Sequence, residues 1–226
     1  MVQTAASPDV LYPDADGQPM ADNTQQYRWI VRLVTNLRQL LKDKTAFVAG
    51  DLLWYPVKVD SPPVPAQAPD VMVVLGRPAG DRGSYKQWEE AGVAPQVVFE
   101  IISPSNTATE ISQKQAFYDR YGVLEMYFYD PDSFEFLGLT RQSQEEWPTL
   151  LTPLNLPWTS PILGIRFEMF EDGLALFSPN GELFKDPEEL FQEHNQAQQE
   201  RDQAQQKLER AIAKLQDLGI DLDEVE

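Results

Sequence analysis

This sequence predicts an α/β fold with a helical C-terminal tail, and three observations carry the prediction. Over residues 25–44 the apolar side chains Trp29, Ile30, Leu33, Leu37, Leu40 and Leu41 recur at helical spacing. Two short β-rich runs, Pro69-Asp70-Val-Met-Val-Val-Leu75 and Pro95-Gln-Val-Val-Phe-Glu-Ile-Ile102, precede a second helix and further strands, giving the order α, β, β, β, α, β and then more β. From Leu190 onward an alternating four-three spacing replaces both patterns.

Taken in order, residues 1–23 are polar and rich in proline and aspartate (Ser7-Pro-Asp9, Tyr12-Pro-Asp-Ala-Asp-Gly17), which predicts an irregular arm carrying turns. Asp22-Asn23-Thr24 supplies the capping signal for the first helix. Residues 47–59 read as one strand, stopped by Ser61-Pro-Pro-Val-Pro65. The glycine-rich, charged excursion 76–94 reads as a mobile loop that brings Arg77, Arg82 and Lys86 near a substrate; it lacks the Gly-Lys-Ser/Thr ending of a phosphate-binding P-loop. Ser103-Pro-Ser-Asn-Thr107 offers N-cap residues for a helix running to about Tyr121, with Gly122 at the C′ position. Residues 123–129 form a strand closed by Asp130-Pro131-Asp132, and 134–140, 147–151 and 165–167 add others. In the tail, positions 190, 194, 197, 201, 204, 208, 211, 215 and 218 define a heptad seam whose second half, Ala204, Leu208, Ala211, Leu215 and Leu218, makes a contact stripe ending at Gly219. That helix folds back on its own domain, pairs with a second copy, or packs against another protein. The organisation expected is an arm (1–23), an α/β domain (24–181) and a helical tail (182–226).

Composition narrows the chemistry. At 226 residues and 42% hydrophobic the chain has enough apolar surface for one large core with an appendage. With no cysteine and a single histidine, His194, it has no disulfides, no thiolate metal site and no His-rich one, so an active site must use carboxylates, lysines and hydroxyls. The net charge of −18 argues against a broad nucleic-acid-binding face but not against phosphate chemistry, because carboxylates can hold a divalent cation that meets the phosphate. The N-terminus has no basic stretch followed by an apolar run, and no segment approaches 18 apolar residues, so a cytoplasmic protein without membrane contact is expected.

Two acids stand out by position. Asp70 opens one β-run and Glu100 lies inside the other, between apolar neighbours, where an ionised carboxylate is costly unless paired, hydrogen-bonded or bound to metal. If the two strands are neighbours, the acids converge at one sheet end and suit Mg²⁺ or Mn²⁺. The alternative is that Glu100 points outward or pairs with a core Arg or Lys. Lys114 shares a helical stripe with Ile111, Phe117 or Tyr118, and Tyr121, so it faces the sheet. There it either snorkels to the edge or serves as a fixed cation opposite the acids. A Ser103–Lys114 hydrolase dyad is the weaker use of the same lysine, since Pro104 and the cap signals make Ser103 a turn residue first.

Together, Pro69-Asp70-Val-Met-Val-Val, Pro95-Gln-Val-Val-Phe-Glu100-Ile-Ile-Ser-Pro-Ser105, Lys114 with Phe117-Tyr118, Tyr121-Gly122-Val123 and Tyr129-Asp130-Pro131 resemble the Uma-two family of endonucleases over about residues 20–180. That family is similar to the PD-(D/E)xK superfamily, so the resemblance implies a restriction-endonuclease-like fold, a mixed central sheet flanked by helices with a metal site at one sheet end. It makes Asp70 the motif aspartate and Glu100 the second acid. The superfamily lysine lies two residues after that acid, where this chain has Ile102; Lys114 occupies the place at which members of this family carry a lysine on the next helix. Asp22 is the nearest candidate for a further acid from the first helix.

The function expected is hydrolysis of nucleic-acid phosphodiester bonds, with DNA as the substrate. Asp70, Glu100 and the Ile101 carbonyl would hold Mg²⁺ or Mn²⁺, and Lys114 would position the attacking water; a homodimer would form through the tail. The alternative is a catalytically inactive nuclease-like module that binds or scaffolds partners through the tail.

Overall fold

The computed structural model describes residues 11–15, 17 and 20–217, leaving aside the side chains of residues 194, 211, 213 and 215–217. The chain divides into two units, one ending at Phe184 and the other beginning at Lys185.

In the first unit, α1 (Thr24–Leu40) begins where Asn23, extended and non-helical, accepts hydrogen bonds from the N–H groups of Gln25 and Gln26 through its side chain. Its buried face is Gln26, Trp29, Ile30, Leu33, Asn36 and Leu37. Burying each of the aliphatic members contributes roughly 1.5–3 kcal/mol, so tertiary packing and not intrinsic propensity holds this helix. The strands that follow are β1 (Ala46–Gly50), β2 (Trp54–Tyr55), β3 (Val71–Leu75), β4 (Tyr85–Lys86), β5 (Val97–Ile101), β6 (Glu125–Tyr129), β7 (Phe136–Thr140), β8 (Thr149–Leu151), β9 (Trp158–Thr159), β10 (Arg166–Phe170) and β11 (Gly173–Phe177). The helix α2 (Ala108–Arg120) connects β5 to β6.

The main sheet has six strands in the order β1-β3-β5-β6-β7-β8. Only β5 and β6 run parallel, as the helical crossover between them requires; the other pairs are antiparallel. It is a mixed central sheet flanked by helices. Side-chain alternation divides the core: Val48, Val71, Val73, Val97, Phe99, Ile101 and Tyr127 pack with α1 and the β11-β10-β9 sheet, while Phe47, Met72, Val74, Val98, Met126 and Phe128 pack with Tyr118 of α2 and with Trp54 and Tyr85 of the β2-β4 pair.

Three expectations are corrected. The strand expected over 47–59 is two elements, because Asp51 takes a left-handed conformation (φ 46°) and turns the chain out of the sheet after Gly50. Residues 173–177, not assigned from sequence, form the second strand of a hairpin with β10; the Asp172-Gly173 pair was the available turn signal. The arginines of 76–94 are not held for a substrate. Arg77 and Arg82 each pair with Glu90 at 2.7 Å, and the Arg82 guanidinium also lies 4.0 Å from the centre of the Phe47 ring, which pins the loop to the core. Part of the arm is anchored as well: Tyr12 is buried, and its hydroxyl accepts from the N–H of Val59 at 2.6 Å and donates to the Val59 carbonyl at 2.7 Å.

The second unit contains α3 (Pro187–Asp217), whose first turn carries Glu188 and Glu189 and whose last carries Lys214, both suited to the helix dipole. Lys185 precedes it and pairs with Glu193 at 2.6 Å. On the expected seam Ala204 and Leu208 are exposed; the side chains of His194, Ala211 and Leu215, together with Leu218, Gly219 and the Ser7-Pro-Asp9 turn, lie outside the described residues. Among the described residues no helix is long and apolar enough to cross a membrane.

Candidate active site

The register of β3 and β5 determines where the two acids meet. Val71 pairs with Phe99 and Met72 with Val98, so continuing the antiparallel ladder one step places Asp70 opposite Glu100. Both then fall on the sheet face that α2 covers, since Met72 and Val98 do. Asp70 is 8% exposed and Glu100 2%. Because β3 begins only at Val71, the N–H and C=O of Ile101 have no backbone partner on that side, and side chains take the places. Asp70 Oδ2 accepts from the Ile101 N–H at 2.6 Å, and Gln26 Nε2 donates to the Ile101 carbonyl at 2.9 Å.

Gln26 reaches that carbonyl because α1 lies close against β1. A Cβ on Gly50 would stand 3.2 Å from Ile30 Cγ2 and 3.1 Å from Val34 Cγ2, so a larger residue there would push the helix away.

Helix α2 supplies the cation. Thr107 caps it in a capping box with Glu110, and Gly122, at φ 94°, terminates it. Lys114 and Tyr118, one turn apart on the sheet-facing side, both end on Glu100: Lys114 Nζ is 2.5 Å from Oε2, and the Tyr118 hydroxyl donates to Oε1. The pairing considered for a structural Glu100 and the convergence considered for a site are therefore both present. Ser103 is elsewhere engaged. Its hydroxyl donates to Asp22 Oδ2 at 2.6 Å, which leaves no Ser103–Lys114 dyad, and the Ser105 hydroxyl donates to the same oxygen.

Electrostatics follow from this packing. Burial, reinforced by the adjacent Glu100, raises the Asp70 carboxyl from 3.8 to about 8, against the opposing pull of Lys114 and the Ile101 N–H. For Lys114, burial alone favours the neutral amine, but Glu100 and Asp70 outweigh it and hold the ammonium charged above its ordinary value. Burial and then Glu100 push Tyr118 well up, so it remains a donor. The Ser103 and Ser105 hydroxyls lower Asp22. A cleft of about 400 Å³ opens onto Asp22, Gln26, Asp51, Asp70, Glu110 and Lys114.

Of the residues singled out from sequence, Asp22, Asp70 and Lys114 line this cleft, while Glu100 and the Ile101 carbonyl are buried behind it, the one bonded to Lys114 and the other to Gln26. Sequence reasoning missed the roles of Gln26 and Tyr118. Gln26 sits on the same helical stripe as Trp29, Ile30 and Leu33, where a polar residue signals a buried partner, and Tyr118 follows Lys114 by four residues on the same face.

No curated protein matches the sequence. Among solved structures, a chain described as "a putative nuclease belonging to DUF820 from Anabaena variabilis ATCC 29413" is similar at 14% identity and a TM-score of 0.44, over 66% of this chain and 81% of that one. Over residues 8–176 the sequence matches the model of a family described as "Putative restriction endonuclease". The chain belongs to that family, Uma2.

Proposed function

We propose that this chain is a nuclease that hydrolyses phosphodiester bonds of DNA with Mg²⁺ or Mn²⁺ held by Asp70, Glu100 and the Ile101 carbonyl. The observation that carries the reading is the convergence of two facing carboxylates with Lys114 at one end of the sheet. The donor set fits a hard divalent cation, two carboxyl groups and a carbonyl; burial and Glu100 hold Asp70 protonated, so a cation would bind there by displacing that proton. The Ile101 carbonyl would be the third protein donor, with water or phosphate as the remaining ligands. When bound, such a cation supplies an acidified water and neutralises charge on the phosphate.

The chain's own residues do the rest. Lys114, kept protonated by Glu100 and Asp70, sets a fixed positive charge beside the acids, where a phosphate gains negative charge during attack. Its ammonium also orients a water by hydrogen bonding. Tyr118 and Lys114 engage separate oxygens of Glu100 and fix the carboxylate plane. Gln26 holds the Ile101 carbonyl in place, and its side-chain oxygen accepts from the Asp22 N–H at 2.8 Å, tying the helix start to the same cleft. A cytoplasmic setting and a homodimer joined through α3, where Leu208 is 61% exposed, complete the proposal.

The test is cleavage of plasmid, linear duplex and single-stranded substrates by full-length protein in millimolar Mg²⁺ or Mn²⁺. Native protein is expected to cut, and folded Asp70→Asn, Glu100→Gln and Lys114→Met variants are not. A Lys114→Met protein that cuts at the native rate returns the lysine to a structural role. Native protein that cuts nothing with either metal overturns the reading in favour of a nuclease-like binding module. The net charge of −18 and Ile102 in place of the superfamily lysine favour that second reading.

A further inference from the structure

At the other end of β1 from Asp70 lies a second cleft, of about 430 Å³, lined by Arg38, Lys42, Lys44, Phe47, Ala79 and Asp81 among others. It is a concentration of positive charge in a chain with twice as many acids as bases. Arg38 is oriented by its backbone contact, donating to the Val48 carbonyl from Nε at 3.1 Å and from Nη2 at 3.0 Å, while none of the three cations has a carboxylate partner among the described residues. Arg77 and Arg82, by contrast, are consumed by Glu90. Asp81 returns one negative charge, so the cleft carries a net excess of two positive charges. Cations at a helix C-terminus offset its dipole, but that effect is confined to the last turn, and Lys44 lies four residues beyond Leu40.

Two independent rulers give the separation from the acids. Along β3, from Asp70 to Leu75, which pairs with Ala46 on the cleft, the distance is about 17 Å. Along α1, from Gln26 in the site to Arg38 in the cleft, it is about 18 Å. Since β1 is an edge strand, no further strand of the sheet lies outside the line joining them. A separation of about 17 Å corresponds to roughly five base-pair steps of B-form DNA at 3.4 Å each.

We propose that Arg38, Lys42 and Lys44 form a phosphate-backbone contact for duplex DNA, about half a helical turn from the bond placed at Asp70 and Glu100. The proposal rests on the nuclease reading and adds to it the direction of the duplex, along the β1 edge. It also answers how a strongly acidic protein holds a polyanion, through one local cluster instead of a broad basic face. Backbone contacts of this kind position the duplex without reading its sequence.

The test uses full-length protein and a fluorescent 20-base-pair duplex, at about 68 Å more than long enough to span both places. Binding is followed by anisotropy across a salt series. Lys42→Ala/Lys44→Ala removes two exposed side chains that have no carboxylate partner among the described residues, and its melting temperature should match native. Each phosphate contact contributes about 0.9 to the slope of log K against log salt, so the variant is expected to bind more weakly with a slope reduced by about 1.8. A Lys58→Ala/Lys207→Ala control, with the same charge change elsewhere, should keep the native slope. Native slope in the Lys42/Lys44 variant, with DNA still bound and cut, overturns this contact and leaves the nuclease reading standing. Native protein that neither binds nor cuts overturns both. Binding to phosphatidylserine vesicles that the variant loses, with duplex binding unchanged, assigns the cluster to lipid headgroups and also overturns it.

Discussion

Replacing Asp70 by Asn tests whether burial and Glu100 hold its carboxyl protonated in the folded chain. In the folded chain burial, and then Glu100, hold the Asp70 carboxyl at about 8, whereas in the unfolded chain it titrates near 3.9. Between those values the folded state retains a proton that the unfolded state has lost, so stability falls as pH rises, and the fall stops above the folded value. The slope is about 1.4 kcal/mol per pH unit, which amounts to roughly 2.7 kcal/mol between pH 5 and pH 7. For a domain of this size that loss lowers the melting temperature by roughly 5–11 °C. Asn keeps an oxygen for the Ile101 N–H but cannot titrate, so Asp70→Asn should lack this slope and be more stable than native protein at pH 8. Urea melts of both proteins in EDTA from pH 5 to pH 8 measure it. Burial raises Glu125 too, in both proteins, so the informative quantity is native minus variant. In millimolar Mg²⁺ the native slope should flatten, because a cation replaces the proton. Parallel stability curves for native and variant in EDTA would refute the argument.

Three further outcomes are expected. Saturating Mg²⁺ or Mn²⁺, at ~100-fold over Kd, should stabilise native protein by about 2.7 kcal/mol; an equal melting shift in Asp70→Asn/Glu100→Gln rejects the assigned site. Tyr118→Phe removes the buried donor to Glu100 Oε1 and should cost roughly 1–3 kcal/mol in denaturant melts, so an unchanged midpoint shows that the contact contributes nothing. Sedimentation of the full chain should give a dimer and that of a chain ending at Lys185 a folded monomer, because the narrow stripe of an isolated helix needs a partner; monomers for both exclude self-association through the tail.

The helices and central strands were legible in the residue order, because their signals are local. Spacing set the apolar faces of α1 and α2, Asn23 and Thr107 their starts, and Gly122 the end of α2. The residue order also marked Glu100, since a carboxylate amid Val97, Val98, Phe99, Ile101 and Ile102 is conspicuous at the price of burying a charge. Which groups meet was set by the packing of elements distant in the chain. That Asp70 faces Glu100 depends on the β3–β5 register, and a slip of one residue would send one acid to the opposite face. The anchoring of the 76–94 loop depends on Glu90 lying between Arg77 and Arg82, and the reach of Gln26 to Ile101 on the close packing of α1 at Gly50. These are contacts between residues distant in the chain or set by loop conformation, and periodicity, which reports only the face a residue occupies, carries no information about the partner waiting there.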